Sequence, residues 1–173
     1  MRCSPTFRLG SAFLFLWLFA GPAAATSPGE EWSGGSPSEE EDKPRWQEQR
    51  ADLPAYPDAR HYIQVPLDLA GSDLQMFIDE PALSVGADGV VRYTLLLRSS
   101  RGSENLFYEG IRCATREWRS YAYGASAGKW QALGDTPWRV LRDQGVERYR
   151  LELYQYYLCD PAIGPRPRDD MVR

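Results

Sequence analysis

The feature that most limits what this chain can fold into is its amino terminus. Arg2 and Arg8 precede an apolar stretch over residues 9–20, and an alanine run follows at 23–25. A basic end, a short apolar core and small residues at a cleavage point are typical of a cleavable secretory signal. We therefore predict that residues 1–25 are removed on export, and that the folded protein forms from about 148 of the 173 residues.

The apolar stretch is too short to anchor the chain in a membrane, since a spanning helix needs about 20 apolar residues. Cys3 precedes the stretch, whereas the lipid-modified cysteine of a bacterial lipoprotein follows it. No later segment approaches a membrane span, and the remaining length suits one domain with one core. The sequence predicts a single domain with no transmembrane segment in the mature chain.

The charge balance disfavours nucleic acid as a partner. The chain has 20 Lys and Arg against 24 Asp and Glu, and the predicted signal removes two of the basic residues. The mature chain then has a net charge of about −6, whereas a nucleic-acid-binding domain needs a basic surface. The charge says nothing about the oligomeric state.

Two cysteines, Cys113 and Cys159, remain after removal of the signal. An exported protein folds in an oxidising compartment, so we predict a disulfide between them. The bridge would close a long loop and stabilise the fold by about 4 kcal/mol in the chain-entropy model. A catalytic cysteine would need a base to form thiolate, and His61 is the only histidine.

Composition divides the mature chain into three parts. Residues 26–55 are rich in Ser, Gly, Pro and Glu, and include an acidic run at 39–42. Such a segment cannot bury enough apolar surface to offset its ordering entropy, so it is predicted to be a disordered acidic leader. An acidic docking tail is the alternative. Residues 56–164 are predicted to fold, and residues 165–173 to form a loose tail.

The folded part has the pattern of an antiparallel sheet. The glycines at 86 and 89 mark a hairpin turn, and an edge strand interrupted at Pro66 is predicted before it. Residues 124–128 are predicted to be a hairpin loop. The predicted strands, rich in β-branched and aromatic residues, are 61–69, 90–98, 106–115 and 118–123.

Residues 146–158 fit both a helical stripe and strand alternation, and their length and Glu, Arg, Gln and Leu content favour a helix. Asp160 and Pro161 would end it just after Cys159. The predicted fold class is therefore α+β: a single domain with a mostly antiparallel β-sheet and a carboxyl-terminal helix. One disulfide, Cys113–Cys159, would join the last turn of this helix to a strand.

The sequence predicts no catalytic centre, no metal site and no cofactor. One histidine is too few for a zinc site or a serine triad, and the 124–128 loop lacks the lysine of a nucleotide loop. Glu109 and Glu117 flank Cys113 and could in principle form a two-carboxylate hydrolase site. That pair is the only catalytic alternative that the sequence offers.

The candidate binding surface is predicted in the stretch of sequence that comes after Gly110. If residues 112–123 formed one continuous strand, Arg112, Arg116 and Trp118 would share one face, with Arg119 and Tyr121 on the other. Arginine and aromatic side chains are favoured at binding surfaces, and an arginine pair suits a carboxylate-bearing partner or a glycan. These five residues are the predicted binding surface; packing of the aromatic residues in the core is the alternative.

Residues 110–119 (GIRCATREWR), the YAYG run at 121–124, Trp130 and the YLC run at 157–159 resemble one bacterial family. It is the CNP-like family of small exported proteins, first noted in neisserial organisms. The resemblance covers about residues 62–161. It implies a bacterial origin and a cell-envelope location, here the periplasm, but no activity, ligand or catalytic residue.

The expected function is that of a non-enzymatic exported cell-envelope protein that binds an envelope protein or a cell-wall polymer. Two alternatives stay open at this point. One is a wall-directed hydrolase that uses carboxylates, and the other is a structural periplasmic protein without a ligand.

Overall fold

The computed structural model describes residues 45–66, 73–125 and 128–173. The predicted signal, the predicted leader as far as residue 44, and residues 67–69 of the first predicted strand lie outside the described residues. Residues 126 and 127 of the predicted hairpin loop do as well. Among the residues described, no helix is both long and apolar enough to cross a membrane.

A single antiparallel sheet of seven strands forms the centre of the domain. Strands β1 to β6 lie side by side in chain order, and β7 pairs with β5. This meander is the arrangement expected when short loops join consecutive strands. The strands are β1 (Tyr62–Val65), β2 (Gln75–Val85), β3 (Val90–Arg98), β4 (Glu104–Arg112), β5 (Glu117–Ala125), β6 (Lys129–Ala132) and β7 (Arg139–Val140).

The hairpin between β2 and β3 lies where the glycines predict it. The Gly86 N–H donates to the carbonyl of Val90 at 2.9 Å, and Gly89 has a φ of 74°, which favours glycine. The strand β1 is at the edge of the sheet, as predicted, and pairs only with β2 among the described strands. The β2–β3 register shifts between Asp79 and Ser84, close to Pro81, which has no N–H to donate.

The sequence predicts strands over 106–115 and 118–123, but the grouping of the binding-surface residues assumes a continuous strand through 112–123, and that assumption is wrong. The strand β4 ends at Arg112, β5 begins at Glu117, and the four residues between them reverse the chain. Arg112 pairs with Glu117, and Ile111 with Trp118, so Arg112 and Trp118 lie on opposite faces of the sheet. The alternation of side chains therefore restarts at the turn.

The carboxyl-terminal helix is confirmed, but it is composed of three kinds of turn. A 3-10 turn (Gly145–Glu147) leads into helix α1 (Arg148–Glu152), which widens into a π-helix (Leu153–Leu158). We call residues 145–158 the helical segment. The short strands β8 (Cys159–Asp160) and β9 (Gly164–Pro165) and the helix α2 (Arg168–Met171) follow it.

Residues 165–173, which the sequence predicts to be a loose tail, make ordered contacts. Met171 is 6% exposed and belongs to the main core. The Arg168 guanidinium donates to the backbone carbonyls of Leu83 and Glu80 at 3.2 and 2.9 Å. Two neighbouring apolar residues, Met171 and Val172, among charged ones give no periodic pattern, so the sequence carries no signal for this packing.

The helical segment covers one face of the sheet and buries the main core. We call this the helix-side face, and the opposite one the strap-side face. The buried residues of the helix-side core come from β2 to β5 and from the helical segment; they include Met76, Ile78, Val91, Tyr93, Leu95, Leu97, Ile111, Trp118, Tyr149, Leu151, Leu153 and Leu158. Removing this apolar area from water is the main favourable contribution to folding.

The predicted disulfide, Cys113–Cys159, is confirmed. Its Cα atoms are 5.7 Å apart, within the range of an ordinary bridge. Cys113 is the first residue after β4 and Cys159 the first after the π-helix, so the bridge joins the β4–β5 turn to the end of the helical segment. Both cysteines are buried. Such a bridge suits an oxidising compartment.

Candidate functional site at the disulfide groove

The structure separates the five residues of the predicted binding surface. Trp118 lies in the helix-side core, where it is 5% exposed. The Arg150 guanidinium lies 3.5 Å from the centroid of its ring. The cation is held over the negative face of the indole by electrostatic attraction. For Trp118 the alternative of core packing is therefore the correct one, and this residue belongs to no surface.

Three of the predicted residues lie on the strap-side face beneath residues 45–52, which we call the strap. The Arg112 guanidinium stacks 3.8 Å from the ring centroid of Trp46. Arg119 Nη1 and Tyr121 Oη donate to the Glu48 carboxylate at 2.7 and 2.6 Å. The predicted leader ends at residue 55, so its last part lies on the domain and occupies these three side chains.

The two glutamates of the alternative hydrolase site point to opposite faces of the sheet. Glu117 pairs with Arg112, at 3.8 Å, on the strap-side face. Glu109 is fully buried on the helix-side face and accepts from Arg150 Nε and Nη2 at 3.0 and 2.6 Å. Two carboxylates on opposite faces cannot flank one glycosidic bond.

The buried Glu109 carboxylate is also saturated with donors. Beside Arg150, the hydroxyls of Tyr93 and Ser120 donate to it at 3.1 and 2.9 Å. Burial, and then the negative charge of Glu109, raise the pKa of Tyr93 well above its ordinary value. With its oxygen atoms bonded and no exposed surface, Glu109 is placed as a structural group rather than as an acid or a base.

Arg116, the fifth predicted residue, lies on an open groove beside the disulfide. The groove has a volume of about 530 Å³, within the ordinary range for ligand sites. One wall is the β4–β5 turn, and the other is formed by the π-helix and the β8–β9 turn. The lining residues of this disulfide groove are Cys113, Ala114, Arg116, Tyr154, Gln155, Asp160, Pro161, Ala162, Ile163 and Gly164.

Arg116 combines exposure with an unusual backbone. Its φ is 57°, the only positive value at a non-glycine among the described residues. A side-chain-bearing residue adopts this left-handed conformation rarely and at some cost. Its carbonyl accepts from the Leu141 N–H at 2.9 Å, which fixes the turn. The strained turn therefore projects an arginine onto the rim of the groove.

The Arg116 guanidinium faces an aromatic ring and no acid. It lies 5.5 Å from the ring centroid of Tyr154, and it forms no ion pair with any residue in the described ranges. Cation–π contact of this kind orients the guanidinium while leaving its donors free. The groove thus presents an available cation next to an aromatic ring.

The opposite wall adds an apolar lip. The Ile163 side chain is 74% exposed. In the same β8–β9 turn, the Asp160 carboxylate accepts a hydrogen bond from the Ala162 N–H at 2.8 Å. Tyr154 and Gln155 belong to the π-helix, a form that is rare and frequent at functional sites. An exposed aliphatic side chain, a free arginine and a ring together suit a ligand that carries both an apolar group and a carboxylate.

The cysteine that lines the groove, Cys113, is bonded to Cys159, so it supplies no thiolate. Within residues 45–66, 73–125 and 128–173, no group of three or more His, Cys, Asp or Glu is placed to hold a metal ion.

Sequence reasoning missed the residues that complete both surfaces. Trp46 and Glu48 lie in a polar segment that is predicted to be disordered, and a tryptophan in such a segment was the available signal. Ile163 lies next to the predicted tail, and Tyr154 and Gln155 within the predicted helix. Nothing in a helical pattern distinguishes the residues that line a groove from those that face solvent.

The model of the CNP1-like family matches residues 41–173. The match begins just before the strap and runs through α2, so it includes both surfaces described above. No curated protein and no solved structure matches the chain. The chain belongs to the CNP1-like family.

Proposed function

We propose that this member of the CNP1-like family is a non-enzymatic exported cell-envelope protein that binds a carboxylate-bearing partner in the disulfide groove. The partner is an envelope protein or a cell-wall polymer. The observation that supports this proposal above others is the exposed Arg116, which forms no ion pair with a described residue and is fixed in a left-handed turn beside Tyr154. Strain of this kind is found where function requires a side chain in one position.

The chemistry of the groove favours an acidic ligand with an apolar part. A guanidinium binds carboxylates through two parallel hydrogen bonds, and one already positioned by an aromatic ring loses less entropy on binding. Ile163 offers apolar area on the other side of the groove. The chain as a whole is acidic, so this local cation is the feature that would select an acidic partner against the background charge.

Location in the periplasm is part of the proposal. It is supported by the signal pattern of residues 1–25 and by the Cys113–Cys159 disulfide, which is stable in an oxidising compartment. Fractionation of cells that express the tagged full chain is the direct measurement. Recovery of an uncleaved chain from the cytoplasm would contradict this part of the proposal.

The binding function is tested by capturing the tagged, naturally exported protein from cross-linked envelopes. We expect Arg116→Ala to lower the amount of co-captured material at least fivefold. Arg101→Ala is the matched control, because Arg101 is another exposed arginine on a turn that forms no ion pair with a described residue. Equal capture by wild type and Arg116→Ala, with the disulfide intact in both, would overturn the groove as the binding site.

Digestion with muramidase before capture distinguishes the two kinds of partner. Release of the protein by the enzyme identifies the ligand as wall polymer, and retention of a reproducible protein band identifies an envelope protein. Absence of retained material in every sample would contradict a binding function and favour a structural role without a ligand.

A further inference from the structure

A second surface, distinct from the groove, is already occupied by part of the chain itself. Three hydrogen-bond donors and one further guanidinium, that of Arg92, surround the Glu48 carboxylate on the strap-side face. The distances are 2.7 Å from Arg119 Nη1, 2.6 Å from Tyr121 Oη, 3.2 Å from Trp138 Nε1 and 3.7 Å from Arg92 Nη2. We call Arg92, Arg119, Tyr121 and Trp138 the carboxylate-binding cluster.

The sheet is shaped to build this cluster. The β4–β5 register shifts between Tyr108 and Glu109, so that β5 carries one extra residue, Tyr121, which lies on the same face as Arg119 two residues before it. Gly110 makes room for the ring, since a Cβ there would lie 2.5 Å from Tyr121 Oη. Burial, and next the hydrogen bond to Glu48, raise the pKa of Tyr121, so its hydroxyl stays a donor at neutral pH.

The surface also holds the aromatic residue two positions before the glutamate. The Trp46 ring stacks on the Arg112 guanidinium and meets Trp138 edge-on at 5.9 Å between centroids. Its Nε1 donates to the carbonyl of Asp88 at 2.8 Å. The strap-side face therefore contacts two features of the strap: an aromatic ring and, two residues later, a carboxylate.

The strap is less buried than the residues beneath it. Each of residues 45–52 is exposed or half-buried, and none belongs to a helix or strand. The side chains of Arg92 and Arg119, rooted in the sheet, are only 7% and 12% exposed. An open surface pocket of about 220 Å³ is lined jointly by strap residues and by Arg119 and Tyr121 of β5.

Release of the strap would expose polar groups rather than the main core. The cluster consists of charged and hydrogen-bonding side chains, which water can solvate. The small apolar cluster on this face, Tyr108, Tyr121 and Ala122, is separate from the helix-side core. The free energy needed to exchange the strap for a similar ligand is correspondingly small.

We propose that the carboxylate-binding cluster and the Arg112 stacking site form a docking site for a carboxylate-bearing segment of a partner protein, with the strap as its competing occupant in cis. The recognised segment carries an aromatic residue two positions before a glutamate or aspartate. Because the strap is tethered, its effective concentration is in the millimolar range, so a partner segment must be concentrated or bind at several sites to displace it.

The test uses the full chain with the double substitution Trp46→Ala and Glu48→Ala, which leaves the site empty. The probe is a fluorescein-labelled peptide with the sequence of residues 45–52 (RWQEQRAD). By fluorescence anisotropy we expect the double variant to bind this peptide at least tenfold more tightly than the wild-type chain does. A peptide with Gln at the position of Glu48 should bind the double variant at least tenfold more weakly.

Two further variants keep the test decisive. Glu48→Gln alone retains the shape of the strap and should give an intermediate affinity, which covers the case in which the double variant folds poorly. Adding Arg116→Ala should leave peptide affinity unchanged, so a failure of the groove proposal and a failure of this one are distinguishable. Folded variants that bind neither peptide, or that bind both equally, would overturn the docking site and leave the cluster a purely structural contact.

Discussion

Each face of the sheet holds an ion pair between a glutamate and an arginine, and the two pairs differ in how deeply they are buried. Each holds a glutamate against an arginine: Glu109 against Arg150 under the helical segment, and Glu48 against Arg119 under the strap. The Glu109 side chain is fully buried, whereas that of Glu48 is 16% exposed. The covering elements differ in the same sense, since the helical segment contributes buried Tyr149, Leu153 and Leu158 and the strap contributes no buried residue.

This difference indicates what each ion pair does. A pair sealed in an apolar core cannot be opened without leaving a bare charge out of water, so it fixes one arrangement. A pair at the margin can exchange its partner for water or for another carboxylate at modest cost. The helix-side pair therefore belongs to the permanent structure, and the strap-side pair to a surface that can change its occupant.

The largest expected effect comes from Glu109→Ala on the helix-side face. Removing the carboxylate leaves the buried Arg150 guanidinium with only the partly exposed Glu147 carboxylate, 3.7 Å away, so the free energy of unfolding should fall by about 3–5 kcal/mol. Urea denaturation measures it. Glu117→Ala, which removes a partly exposed pair with Arg112, is the control and should cost about 0–1 kcal/mol. Similar losses in the two variants would remove the distinction between the faces.

The next effect is that of the disulfide, which closes one end of the helix-side core. The double substitution Cys113→Ser and Cys159→Ser should lower the free energy of unfolding by about 2–4 kcal/mol, because the unfolded chain regains the entropy of a long loop. Denaturation of the wild type with and without reductant provides the same comparison without substitution. If the reduced and oxidised chains were equally stable, the bridge would not contribute to holding the helical segment.

A smaller effect is expected from Trp46→Ala on the strap. Loss of the cation–π contact with Arg112 and of the hydrogen bond to Asp88 should cost about 1–2 kcal/mol. We expect limited proteolysis to cut within residues 45–52 while the sheet remains resistant. Leu53→Ala is the control, since Leu53 is 43% exposed. Cleavage in the sheet at the same rate would show that the strap cannot be released separately.

The smallest expected effect is the acid release of the strap, through Asp88. Burial alone would raise the pKa of Asp88, but hydrogen bonds from Arg92 and from the Gln49 and Val90 N–H groups outweigh it and lower the pKa below its ordinary value. The stabilisation is therefore present above the ordinary aspartate pKa of about 3.9, and is lost as the pH falls through the lower folded value.

Cleavage by an acid protease measures this acid effect. The strap should become sensitive below about pH 4 while near-ultraviolet circular dichroism still reports a folded core. Asp88→Asn should weaken the strap at neutral pH and abolish the pH dependence in this range. A pH dependence that survives in Asp88→Asn would assign the effect to another group.

The sequence is informative where structure depends on local patterns. The glycines at 86 and 89 predict the β2–β3 hairpin, and β-branched and aromatic content predicts β3 at its observed bounds, Val90–Arg98. Two cysteines in an export context predict their own pairing. These predictions rest on turn residues, on local composition or on a covalent preference, and none needs the tertiary structure.

The β4–β5 turn escaped prediction because it lacks the usual turn residues. Residues 113–116 contain no glycine, asparagine or proline, and Arg116 adopts the left-handed conformation that those residues would normally provide. The predicted binding surface was therefore assigned to the wrong faces. Arg112 nevertheless contacts an aromatic ring, that of Trp46, and Arg119 and Tyr121 contact a carboxylate, that of Glu48. What could not be foreseen was that the ligand is part of the same chain, since Glu48 and Tyr121 are far apart in the sequence.

The long-range contacts of the strap determine when it can form during folding. Its partners lie 42 residues later at Asp88 and 90 residues later at Trp138, whereas the hairpins of the meander close over short loops. Contacts of large sequence separation require more loop-closure entropy and form late. In a chain that emerges from its amino terminus, the strap appears before the hairpins and docks after them. Until the strap docks, the carboxylate-binding cluster is unoccupied. A partner that binds the newly folded sheet at this stage therefore competes with an undocked strap.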